Sequence, residues 1–182
     1  IAGADKKEVE RLLAQTISFL LVVGGILCAA LALFAPQVLA PLFPALMSGE
    51  RADEFVLLAR LLLIQPLLLG LSGILGSVTQ VERKFFLFAL SPVLYNLGII
   101  FGTVALYPAL GLPGIGAGVI IGAVAHLFVN VPSLIGARVR PRLTIPSMRE
   151  MTPIILDSIP RSLALSMTSV IALALASIAS RI

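Results

Sequence analysis

Two long stretches of this chain, residues 12–49 and 85–137, contain no Asp, Glu, Lys or Arg. Each exceeds the roughly 20 residues that a helix needs to cross the hydrocarbon core of a bilayer. A water-soluble fold would have to hide both, and the remainder supplies too little polar surface to do so. Of the 182 residues, 59% are hydrophobic and 12% charged, with a mean hydropathy of +1.09, whereas a soluble domain carries about a quarter charged residues. Lipid is therefore the expected medium. Backbone polar groups in lipid must pair internally, which leaves helices or closed barrels. The runs are continuously apolar and lack the alternation of barrel strands. The expected fold class is an all-α membrane protein.

The pattern predicts one bundle of five transmembrane helices across residues 1–182, at about 12–35, 56–79, 86–107, 112–135 and 153–180. The chain opens at Ile1 without a signal peptide and stops at Ile182 just after an apolar helix, which reads as an internal fragment of a longer membrane protein. If the helices alternate in direction, Lys6, Lys7, Arg11, Arg83, Lys84, Arg138, Arg140, Arg142 and Arg149 share one side. Arg51, with Arg60 and Arg181 near helix ends, falls on the other. This asymmetry predicts a cytoplasmic N-terminus. It also accounts for the net charge of +4 through topology and contact with anionic membrane lipids. No aromatic–basic interleaving points to nucleic acid. The connection at 36–54 carries Pro36, Pro41 and Pro44, which prevent one continuous helix, and suggests a short interfacial segment. Cys28 lies mid-span with no second cysteine to pair.

Sparse polar groups inside the spans are the candidate functional residues. ALSPVLYNLGIIFG (89–102) holds Pro92, which removes a backbone donor and predicts a kink, with Ser91 a candidate to satisfy a freed carbonyl. Asn96 is expected to face another helix or a wet cavity, as packing residue or as part of a cavity-lining hinge. Ser91, Tyr95, Gly98 and Gly102 follow helical spacing and suggest a close-packing face. Gly114, Gly118, Gly122, His126 and Asn130 recur every fourth residue, as in small-xxx-small helix crossings. His126, the one histidine, reads as a hydrogen-bonded packing residue or a proton carrier. Asp157 and Arg161, four apart with the acidic residue first, can pair on one helix face, as an interfacial anchor or as a contact for an anionic headgroup. Pro160 permits a kink there. In the second helix, Arg60 is expected at the interface and Gln65 deeper, followed by Pro66, a further kink site. No nucleophile–base arrangement, paired carboxylates, phosphate loop or metal cluster occurs. The residues therefore favour a transporter over an enzyme, with no cofactor or metal; a non-transporting membrane scaffold is the alternative of a different class.

ERKFFLFALSPVLYNLGIIFG (82–102) resembles the fourth-to-fifth helix junction of the MurJ/MviN lipid II flippases, in the multidrug/oligosaccharidyl-lipid/polysaccharide exporter superfamily. APQVLAPLFPAL (35–46) resembles that family's external segment after the third helix. LGLPGIGAGVIIGAVAHLFVNVPSLI (110–135) is similar to its sixth helix. RPRLTI (140–145) and IPRSLALS (159–166) resemble the basic loop and Pro-Arg opening of its seventh. The order holds over essentially the whole chain. The resemblance implies helices three to seven of a fourteen-helix, two-lobed transporter, part of its N-terminal lobe. It implies a lipid-linked sugar diphosphate as substrate, alternating access, and the bacterial plasma membrane, with the other helices as partners. Asn96, Asp157 and Arg161, with Gln65 and Arg60, are the implied cavity or gate residues. The arginines of the family's first two helices and second lobe, which line its cationic cavity, lie outside this sequence, and MTSVIALALAS (167–177) is more apolar than the family's seventh helix. Another polysaccharide-lipid or drug exporter of the superfamily is the nearest alternative.

Overall fold

The computed structural model describes residues 6–137 and 143–179, with the side chains of Lys6, Arg161, Ala164, Leu165 and Thr168 outside that description. Every regular element among the described residues is helical. Four helical rods, Lys7–Leu33, Ala52–Val81, Phe85–Leu110 and Leu112–Ile135, are long and apolar enough to cross a membrane; they are the first to fourth spans. A fifth helix, Met148–Ala179, has 32 residues and includes the apolar stretch Ser169–Ala179.

Several helices run past the expected limits because charge ends an apolar run without ending a helix. The second span begins at Ala52, with Asp53 and Glu54 in its first turn, where carboxylates favour the positive end of the helix dipole. The first span stops at Leu33, before Pro36, and two short helices follow, Ala35–Leu42 and Pro44–Met47. Prolines that open helices and Phe43 packed edge-on against Phe55 shape this connection.

The three expected kink sites behave differently. Pro66 lies at the start of Gln65–Val81, and the second span is divided at Leu63–Ile64, so this proline opens a segment. The helices containing Pro92 and Pro160 run on through them. Two π-turns, Leu20–Gly24 and Gly102–Leu106, widen the first and third spans; no sequence expectation covered them.

The third and fourth spans make the most intimate contact in the bundle. A Cβ added at Gly98 would strike the backbone of Gly122, and one at Gly102 or Gly118 the backbone of the other. One at Gly114 would come within 2.6 Å of the Leu106 carbonyl. Only glycines let two backbones approach so closely. The fourth span begins after Gly111, at φ +65, and Leu112 N–H donates to Glu54 Oε2 at 3.4 Å, tying together the starts of the second and fourth spans.

The second span ends in a double-bonded cap. Arg83 N–H donates to Gln80 O at 2.9 Å and Lys84 N–H to Thr79 O at 3.0 Å, with Arg83 left-handed at φ +56. A side chain there costs about 1 kcal/mol relative to glycine.

Candidate functional site: a buried polar cluster and a side-chain clip

A hydroxyl or amide buried away from water is costly unless it is bonded. Ser72, Thr79, Ser91, Asn130 and Ser133 are each at most 1% exposed, so their partners matter. Ser72 and Thr79 lie seven residues apart on one face of the second span, and His126 and Asn130 four apart on the fourth. Asn130 is the hub. Its Oδ1 accepts from Thr79 Oγ1 at 2.9 Å. Its amide donates to Ser91 Oγ at 3.0 Å, His126 O at 3.0 Å and Ser72 Oγ at 3.2 Å. Two protons thus serve three acceptors.

Ser91 passes its own proton to Leu87 O at 3.1 Å. The carbonyl that Pro92 leaves open is that of Phe88, so Ser91 does not fill the role expected of it. Ser72 Oγ is 2.6 Å from His126 Nδ1 and 2.9 Å from His126 O. It donates to the ring nitrogen or to the carbonyl according to the tautomer. Tyr95 meets the imidazole edge-on, centroids 6.4 Å apart, and its hydroxyl accepts from Gln65 Nε2 at 2.7 Å. Ser133 Oγ has no hydrogen-bond partner among the described residues.

The cluster contains no carboxylate, lysine or arginine. It cannot hold a diphosphate by charge. What it does is fix the second, third and fourth spans in one register, since each hydroxyl loses its partner if a helix slides. The i, i+4 row thus has two parts: the three glycines are buried in the crossing, and His126 and Asn130 extend into the polar cluster.

The other candidates are dispersed. Arg60 Nε donates to Ala32 O at 3.0 Å. In an uninterrupted helix that carbonyl would accept from residue 36, and Pro36 has no N–H to give. Arg60 therefore closes the end of the first span. Asn96 is exposed, and its amide turns back to Pro92 O at 2.9 Å, with no hydrogen bond to another helix among the described residues. Asp157 is exposed on the fifth helix. The Arg161 side chain lies outside the described residues, as does any pairing with Asp157.

A second polar contact, missed in the sequence, joins the first span to the segment before the fifth helix. Ser18 Oγ accepts from Thr144 N–H at 2.9 Å, and Gln15 Oε1 from Ser147 N–H at 2.6 Å. Arg11 pairs with Glu150 beside it, and Met151 is 1% exposed. The detectable signal was two polar residues one turn apart, Gln15 and Ser18, inside an apolar run. Above this clip the two helices diverge around an apolar cleft of about 290 Å³, lined by Thr16, Phe19, Ile155, Ile159 and Ser162 among others.

These features define a multi-pass, all-α membrane protein with a buried polar cluster between three of its spans. The family model of the lipid II flippase MurJ matches residues 2–181. The chain belongs to that family, whose members are transporters of a lipid-linked molecule. No curated protein matches it.

Proposed function

We propose that this chain forms part of a flippase that carries a lipid-linked peptidoglycan precursor across the bacterial plasma membrane by alternating access. The match to the MurJ family over residues 2–181 carries the reading. A sugar-diphosphate headgroup enters hydrocarbon only at great cost, so protein must supply a polar path while the lipid tail stays in the bilayer. The chain's contribution is mechanical. Three spans locked by glycine contacts and a buried cluster act as one body, and the fifth helix, held by a few side-chain bonds, can move against it. Asn96 and Asp157, exposed here, and Arg161 face the transport cavity in the assembled protein. Gln65 and Arg60 hold helices together. The N-terminus of this segment lies on the cytoplasmic side. Depleting the intact protein from growing cells tests the function: the lipid-linked precursor accumulates on the inner leaflet, and unchanged precursor levels would contradict it.

A further inference from the structure

The turn between the second and third spans places an arginine where the backbone suits glycine. Arg83 closes the cap with φ +56, a left-handed conformation that glycine adopts freely and a side chain does not. Gly111, the other described residue with positive φ, is a glycine. The helix stop therefore does not account for the arginine. Its side chain is exposed and makes no hydrogen bond or ion pair with any described residue. Lys84 is partly engaged, its Nζ 3.4 Å from Pro132 O.

The surroundings indicate what the free guanidinium meets. The turn joins two membrane-crossing helices, so it lies at a membrane–water boundary. Val81, Phe85 and Phe86, which flank the basic pair, are 51%, 63% and 76% exposed. Aromatic rings at this depth sit among the upper acyl chains, and a cation beside them reaches the phosphate level. Glu82, Arg83 and Lys84 together carry one net positive charge (−1 + 2). A zwitterionic headgroup gains little from that excess; an anionic one gains from both charge and hydrogen bonding, since guanidinium matches phosphate oxygens in pairs.

We propose that the Glu82–Phe86 turn is a binding site for the headgroup phosphate of an anionic phospholipid, with Arg83 as its ligand and Phe85 and Phe86 seated in the adjoining acyl chains. The site rests on the membrane-spanning architecture and is independent of the transported substrate. Native mass spectrometry of the intact protein in detergent, titrated with phosphatidylglycerol or phosphatidylcholine, tests it. Wild type retains phosphatidylglycerol in preference to phosphatidylcholine. Arg83→Gly weakens phosphatidylglycerol retention about fivefold while raising the melting temperature by about 2 °C, because it removes the ligand and relieves the backbone together. Arg83→Gln keeps the strained backbone and shows the same loss of retention without the thermal gain. Equal retention of the two lipids by wild type would overturn the proposal, as would undiminished phosphatidylglycerol retention in either variant.

Discussion

The crossing of the third and fourth spans and the contact between the first span and the fifth helix are built from opposite materials. In the crossing, backbone meets backbone, and not even a methyl group fits at Gly98, Gly102 or Gly118. At the other contact a cleft of about 290 Å³ stays open, and attachment depends on the side chains of Gln15, Ser18 and Arg11. Dense packing has few alternative arrangements at similar energy. A clip of side-chain bonds to backbone amides can open and re-form, because water replaces its partners near an interface. One chain thus contains a part suited to staying fixed and a part suited to moving.

The sharpest way to break this contrast is to spoil the crossing. Gly118→Val would drive side-chain atoms into the Gly102 backbone, which has no flexible end to yield. We expect a loss of about 3 kcal/mol or more, read as collapse of the thermal transition in detergent; a variant that melts like wild type would refute the close approach. Next comes the hub. Asn130→Leu leaves the hydroxyls of Thr79, Ser72 and Ser91 without their shared partner and should cost about 2 kcal/mol, measured by chemical denaturation. A neutral result would mean that the cluster does not hold the three spans together.

Arg60→Ala reopens the Ala32 carbonyl above Pro36 and should cost about 1 kcal/mol in the same assay. Arg60→Lys recovers part of it if the contact is a cap, and none if the residue serves another purpose. The smallest effect on stability is expected at the clip. Gln15→Ala with Ser18→Ala should change global stability by less than about 1 kcal/mol, in line with modest hydrogen-bond energies in membrane proteins. It should nevertheless speed hydrogen exchange at the Thr144 and Ser147 amides about tenfold. Unaltered exchange would show that the linker is held by other means.

Much of this was legible before any coordinates. Charge-free runs announced the spans, and the four-residue row from Gly114 to Asn130 announced a crossing, because a helix repeats its faces at that interval whatever its neighbours are. The identity of the neighbours was not legible. Ser72 and Thr79 carry no distinguishing pattern, Ser91 points to the carbonyl freed by Pro92, and only the packing of three rods converges all three on Asn130. The partner of Arg60 was not legible for the same reason. The open carbonyl it caps could be inferred from Pro36, but its distance from Arg60 depends on the return path of the chain. Asn96 adds a bond that composition does not reveal: an amide in a span can also donate to a carbonyl of its own helix, here Pro92 O. The π-turns at Leu20–Gly24 and Gly102–Leu106 left no signal in the pattern of apolar residues.

The central claim is that the second, third and fourth spans move as one body while the fifth helix moves relative to the first span. Spin-label distance measurements on the intact protein in lipid nanodiscs test it directly. One pair goes on the exposed positions Leu97 and Ile121, the other on Leu21 and Leu163. With and without lipid-linked precursor, the Leu97–Ile121 distribution should stay narrow and unchanged, while the Leu21–Leu163 distribution shifts or broadens. A shift in the first pair, or none in the second, would contradict the account.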